Sequence, residues 1–258
     1  MFRNKSDMKL KYLLFILFLT VFSVQVFTQS VTIKPKKVVY TRKGKVTMKE
    51  KRTFTITYPV VSGTISVATK KKLDNTLSYW RVFETTLKEN LSEYEWLTEM
   101  SYTVNYNKNG ILDIGLTQEG SGAYPDGQTI VLIIDLKTGT QAKFADVFDA
   151  GSKAKLAEKV DRKLSDEKKE IVESIKNDKT SYSNDDERNS SIELVEQLKF
   201  TSEDFDEFSV SDKGVTIIYD AGFPHVVQAL EPDGHYLFTW AEIKPFIKAD
   251  SLLARFVR

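Results

Sequence analysis

The chain has 258 residues, 41% hydrophobic, 12% aromatic and 28% charged, a profile that supports a real core and excludes a disordered polymer. It contains no cysteine, which excludes disulfides, Cys-based metal sites, thiol nucleophiles and lipid attachment at an N-terminal Cys. The formal net charge is +1, but Arg3, Lys5, Lys9 and Lys11 against Asp7 supply a surplus of three; about −2 remains without them, so no footprint for nucleic acid is expected.

Residues 1–28 read as a secretory signal peptide. The basic start leads into the apolar run Tyr12–Phe22, which Ser23, Gln25 and Thr28 then dilute. Cleavage before Gln29 would leave an exported protein, periplasmic or extracellular. The other reading is an uncleaved anchor, but the run is short of the roughly 20 residues a spanning helix prefers. No second apolar run is long enough to span, so no membrane span is expected after signal removal.

Residues 29–50 read as a tether or a loose hairpin: Lys36 and Lys37 precede Val38-Val39-Tyr40, and a Lys-Gly step separates these from Val46-Thr47-Met48. Residues 51–258 read as a single domain. Its first part, 51–108, is strand–helix–strand. Thr53–Tyr58 alternates β-branched and aromatic residues and should stop at Pro59. Between Lys70 and Tyr94, Leu73, Leu77, Trp80, Phe83, Leu87 and Leu91 recur at spacings of three and four, which predicts one long helix with a core-facing stripe. Trp96–Tyr106 alternates again, with Met100, Tyr102, Val104 and Tyr106 on one side. Asn107–Gly110 is a hairpin turn.

In the second part, 109–258, Ile111, Asp113, Gly115 and Thr117 share one strand face, and Leu112, Ile114 and Leu116 the other. Gly120–Gly127 is a glycine-rich corner. Gln128–Leu136 is almost unbroken apolar sequence, which predicts a central strand buried on both faces. A Lys137–Gly139 turn and a short aromatic segment, Ala145–Asp149, follow. Ser152–Asn177 is a second long helix, with Leu156, Val160, Leu164, Ile171 and Ile175 as its stripe. Its charged centre, Ser165–Glu170, reads as a solvated face with intrahelical pairs. Asp178–Ser191 reads as an exposed loop. It lacks the spacing of a calcium loop. Strands are expected at Phe205–Val210, Val215–Tyr219 and His235–Phe238, with Val226–Leu230 as an extension and turns at Ser211–Gly214 and Glu231–Gly234. Thr239–Glu242 is a capping box that should start a short helix, after which Phe246, Ile247, Leu252, Leu253 and Phe256 dock the C-terminus. The fold class is α+β: a mainly antiparallel sheet with two long helices packed on it and a short C-terminal helix.

Several motifs resemble a bacterial exported domain of unknown function. It is found in the extracytoplasmic part of the lysozyme-sensing anti-sigma-V factor and beside the catalytic domain of some peptidoglycan deacetylases. Gly120-Ser121-Gly122-Ala123-Tyr124-Pro125 is similar to its Gly-Gly-Ala-His corner, with Tyr124 in place of the His. Asp135–Gly139 and Phe144–Phe148 are similar to its strand-plus-turn and Leu-x-Asp-Leu-Phe segments, and Ile218–Gly222 through Trp240–Phe246 to its closing region. The resemblance spans roughly residues 50–248. It implies an α+β domain outside the cytoplasm but no enzyme, because the deacetylase domain with its metal-binding Asp and His residues is absent.

The residues themselves offer little catalytic machinery. His225 and His235 flank a turn carrying Glu231 and Asp233, too few ligands for a tetrahedral zinc site. No Gly-x-Ser-x-Gly elbow, phosphate loop, dinucleotide fingerprint or His-Glu-x-x-His motif occurs. A carboxylate pair for glycoside hydrolysis cannot be singled out among 36 acidic residues; Asp113 and Asp135 lie on strands. Tyr124-Pro125 and Phe223-Pro224-His225 are aromatic-bearing loops, read either as packed corners or as contact surfaces. The expected function is a non-enzymatic binding or sensory module at the bacterial cell envelope, contacting a cell-wall component or an envelope protein through Tyr124, Pro125, Phe223 and His225, with no cofactor and no metal. The alternative is a cell-wall or carbohydrate hydrolase with an unrecognised carboxylate site. Two close carboxylates with raised pKa in one pocket would favour the enzyme.

Overall fold

The computed structural model describes residues 30–43, 45–46, 49–92, 96–122 and 124–257; the expected signal peptide, 1–28, lies outside them. Six strands form the larger sheet in the order β1 (Thr32–Thr41), β2 (Thr53–Ser62), β3 (Leu97–Lys108), β4 (Ile111–Ser121), β5 (Pro125–Asp135) and β6 (Thr140–Gln141). The sheet is mixed, not mainly antiparallel as expected, because β2 and β3 pair in parallel through Thr55–Glu99 and Ile56–Met100. The connection between them carries three short helices and returns the chain to the same end of the sheet, which is the geometry parallel neighbours need. A second, three-stranded antiparallel sheet holds β7 (Glu207–Val210), β8 (Gly214–Ile218) and β9 (His235–Thr239).

Residues 32–41 pair with β2 along their whole length. Pro59 does not stop β2. It sits opposite Pro35, and since neither proline has an N–H, the two face away from each other's hydrogen-bonding side. The strand buried on both faces is β4, not β5: Ile111 to Leu116 are all buried, whereas Pro125–Thr129 are exposed. Leu112, Ile114 and Leu116 join a core with Phe54, Ile56, Leu73 and Tyr79 on one side of the sheet. Ile111 and Ile133 join the larger core on the other side, with Phe144, Leu156, Phe208, Val215 and Phe238. A bulge between Val104 and Tyr106 turns Tyr106 away from Met100 and Tyr102 and into that second core, which the simple alternation missed.

The expected helix over Lys70–Tyr94 is three short ones: α1 (Val67–Thr76), α2 (Tyr79–Val82) and α3 (Leu87–Leu91), with Glu93 and Tyr94 outside the described residues. Ser78 precedes α2, Glu84 adopts φ +50°, and Thr86 and Glu89 form a capping box at the start of α3. The apolar spacing survives these breaks because all three pieces lie against the same core. One helix is long: α5 (Lys153–Asn177), preceded by the short α4 (Phe144–Val147). The expected loop after it contains α6 (Asp185–Glu196), capped by Asn184, with Asp185, Asp186 and Glu187 in its first turn. Its stripe is thin because it covers only a small cluster built on Val172, Ile175 and Val195. The Thr239–Glu242 capping box is formed and starts α7 (Trp240–Ile243). Trp240 then stacks on Phe256, with ring centroids 4.4 Å apart, and so docks the C-terminal segment.

Candidate functional site

The outer end of the β4–β5 hairpin builds one wall of the site. The register runs unbroken to Gly120–Asp126 and Ser121–Pro125, so the glycine-rich segment is an extended hairpin arm and not a corner at mid-sheet. Gly120 is required by a close approach: a Cβ there would enter the Trp96 ring. Tyr124 stands at the tip and is 66% exposed, and Pro125 beside it is exposed as well.

The opposite wall is the excursion between β8 and β9. Asp220 accepts a hydrogen bond from the Gly222 N–H (2.7 Å), and Gly222 takes φ +66°. Phe223 packs into the small cluster between α5 and α6, and its N–H donates to Glu231 (3.3 Å). His225–Leu230 form a 3₁₀ helix where an extended segment was expected. The two walls meet where the Tyr124 and His225 rings stack, 5.1 Å apart at 21°. Of the four expected contact residues, Tyr124, Pro125 and His225 therefore share one exposed edge, while Phe223 is an anchor.

Farther along the same two segments, residues 127–131 of β5 and 228–235 of the excursion into β9 line a cleft of about 680 Å³, to which Tyr124, Pro125 and His225 do not themselves contribute. Gln128 and Thr129 line one side, Gln228 and Pro232 the other, and Tyr219 and Ile218 the floor. Among the described residues six carboxylates line it, Asp204, Asp206, Glu207, Asp220, Glu231 and Asp233, and no Lys or Arg does. Glu207 is pushed up to about 7, first by burial; the Val131 N–H that it accepts (3.0 Å) opposes the shift, and the charges of Asp206 and Asp220 reinforce it. Burial, then Asp204, Asp161, Asp220 and Glu231, raises the Tyr219 phenol. His235 lies beside Asp233, its Nδ1 2.6 Å from the Asp233 carbonyl oxygen. Among the described residues no group of three or more His, Asp or Glu side chains could hold a metal ion.

Two charged residues in the centre of α5 also support this region, which revises their reading as a purely solvated face. Glu167 accepts from the Asp233 N–H (2.5 Å) and from the Tyr236 hydroxyl (2.9 Å), so it positions the loop that closes the cleft. Lys168 donates to the carbonyls of Glu196 and Leu198 at the end of α6. Only the Lys169–Asp166 pair behaves as a solvated intrahelical pair.

Sequence reasoning missed the acidic lining itself. A signal was present. Counting back from the Ser211–Gly214 turn places Glu207 opposite Ile218, so Asp206 and Asp220 necessarily converge at the open end of the β7–β8 hairpin.

No family model and no curated protein matches the sequence. Solved structures do. The chain shares its fold with proteins of the DUF3298 family. A member from Bacteroides fragilis superposes with a TM-score of 0.56 at 13% identity, covering 86% of this chain and 95% of that one. A Pseudomonas aeruginosa member gives 0.54 at 12% identity, covering 86% and 96%. Both belong to a bacterial domain family of unknown function, and at this identity the likeness is one of fold.

Proposed function

We propose that the protein is an exported, non-enzymatic binding or sensory module of the bacterial cell envelope, and that its ligand is a cationic segment of a cell-wall component or envelope protein held in the acidic cleft between β5 and the β8–β9 excursion. One observation carries this reading: a cleft of about 680 Å³ lined by six carboxylates with no compensating Lys or Arg among the described residues. Clustered charge of one sign in a concave, low-dielectric site concentrates ligands of the opposite sign. The stacked Tyr124 and His225 rings, carried by the same two segments, add an exposed aromatic surface that favours a cation or an apolar face. The signal-like N-terminus and the resemblance to the extracytoplasmic domain of a lysozyme sensor support the location.

The test is titration of a fluorescent hexalysine peptide and a hexaglutamate control into the chain at low ionic strength. Saturable binding of hexalysine alone, weakened at least tenfold in Asp220→Asn/Glu231→Gln and by salt, is the expected result. Equal binding by the double variant would sink the proposal. The lysozyme version is read separately by pull-down; no retention at micromolar concentration removes lysozyme as the partner.

A second reading has its own observation. Glu207, held protonated up to about pH 7 beside Asp206 and Asp220, has the character of a general acid in a carbohydrate hydrolase. Release of reducing ends from peptidoglycan or chitin oligosaccharides, lost in Glu207→Gln, would establish it. Without such release the carboxyl is left with its visible task of holding β7 to β5 through the Val131 N–H.

A further inference from the structure

We propose that the outer edge of β1 is a docking strand for an extended acidic peptide segment, which would add to the six-stranded sheet as a further strand. The first observation is the open backbone. Among the described residues β1 is the terminal strand of its sheet and pairs only with β2. The Pro35–Pro59 register fixes which groups point outward. Neither proline can donate, so that pair is a non-hydrogen-bonded one, and by alternation the N–H groups of Ile33, Lys37, Val39 and Thr41 and the carbonyls of the same residues and Pro35 face the open side. The even-numbered neighbours are the ones bonded inward; the Arg42 N–H, next in that series, donates to the Arg52 carbonyl (2.9 Å). No backbone bond occupies the outward groups among the described residues.

The second observation is charge. Between Lys34 and Arg52 nine cationic residues stand against Glu50 alone, although the whole chain is nearly neutral. Lys34, Lys36 and Lys37 are exposed on β1 itself, and none pairs with a carboxylate among the described residues. Lys34 and Lys36 project from one face about 7 Å apart, the two-residue repeat of a strand, and Lys37 projects from the other. An incoming strand with Asp or Glu at alternate positions meets that repeat while its backbone meets the open edge.

The same charges decide what cannot dock. A second copy laid along β1 would set lysine against lysine, which guards the edge against self-association. An acidic partner turns that guard into a selectivity device, since backbone bonds supply affinity and alternating side chains supply specificity in strand addition. This inference is independent of the acidic cleft. The cleft is lined by β5 and by the residues around the second sheet, whereas β1 lies at the opposite edge of the larger sheet.

The experiment uses a labelled decapeptide alternating Glu and Thr, the same peptide N-methylated at every second residue, a Lys/Thr peptide and polyphosphate. The expected result is binding of the Glu/Thr peptide with slowed amide exchange at Ile33, Lys37, Val39 and Thr41, at least tenfold loss on N-methylation, and loss in Lys34→Glu/Lys36→Glu. That variant should gain binding of the Lys/Thr peptide, which shows that it has folded. Insensitivity to N-methylation, or equal competition by polyphosphate, would overturn the proposal in favour of a general polyanion surface. No binding up to about 1 mM would leave the lysines as guards of the edge and overturn it outright.

Discussion

Asp113 is the residue on which the two sheets most directly depend. It lies fully buried on β4 and accepts from the Ser209 hydroxyl (2.5 Å), the Val210 N–H (2.7 Å) and Asn105 (2.8 Å), the last presented by the bulge in β3. Burial raises its pKa despite these donors. Asp113→Ala leaves the buried Val210 N–H and the half-buried Ser209 hydroxyl on β7 without this acceptor, and a loss of about 2–4 kcal/mol in urea-monitored stability is expected, with Asp113→Asn losing less because one acceptor oxygen remains. Glu207 answers from the other side, reaching from β7 to the Val131 N–H. Its folded carboxyl titrates near 7 against an ordinary value of 4.5. Between those values the folded state holds the extra proton. Stability therefore falls as pH rises from about 4.5 to 7, is fully penalised above 7, and is unaffected below 4.5. Glu207→Gln should flatten that part of the melting temperature–pH profile, and an unchanged difference between wild type and variant at pH 5 and pH 8 would refute the assignment. Asp113 and Glu207 could be picked out as strand residues, but nothing in a strand's alternation says which carboxylate meets a backbone N–H some 76 to 97 residues away.

At the scale of elements, the glycines of the hairpin arm separate into two kinds. A Cβ at Gly120 has no room beside Trp96, whereas at Gly122 nothing lies within 4 Å. Gly120→Ala should cost about 1–3 kcal/mol through overpacking, and Gly122→Ala should be nearly neutral, as read by thermal denaturation of the two variants. The hairpins at Asn107–Gly110 and Ser211–Gly214, the long helix after Ser152 and the capped α7 were legible, because turn chemistry, period and capping are all local. The helix divided into α1, α2 and α3 was not. Its leucine spacing satisfies a continuous helix, and only Glu84 in the left-handed region and the Thr86 cap show where the chain bends back onto the sheet. α6 was overlooked for the opposite reason: its capping residues were present, but the small cluster it covers gave it too few apolar positions to show a period.

Across the whole molecule, the large core spans both sheets, joining Tyr106, Ile111 and Ile133 of one to Phe208, Val215 and Phe238 of the other. Unfolding should therefore be a single cooperative transition. Trp240 reports on this shared core, while Trp80 and Trp96 pack against the opposite one. The fluorescence of a Trp240→Phe variant should lose structure at the same denaturant midpoint as far-UV circular dichroism, and two separated midpoints would show that the layers unfold independently. The buried Arg42 guanidinium ties the end of β1 to the carbonyls of Asn90, Lys51 and Leu97, over the Phe54 ring. Arg42→Met should cost about 3 kcal/mol and loosen β1 first, visible as faster amide exchange in that strand.

The amino-acid sequence by itself determined the α+β class, most strand and turn positions, the capped C-terminal helix and the exclusion of cysteine chemistry, since each rests on composition or on neighbours a few residues apart. It also singled out Tyr124, Pro125 and His225 in aromatic-bearing segments, which the structure leaves exposed, with Pro125 opening β5 and His225 opening a 3₁₀ helix. Only the tertiary structure decided that β2 and β3 run parallel, that β4 rather than β5 is buried on both faces, that the Tyr124 and His225 rings meet, and that six scattered acidic residues line one cleft. Those are consequences of which segments pack together. Sequence patterns record which face of an element is apolar, but not which distant element covers it.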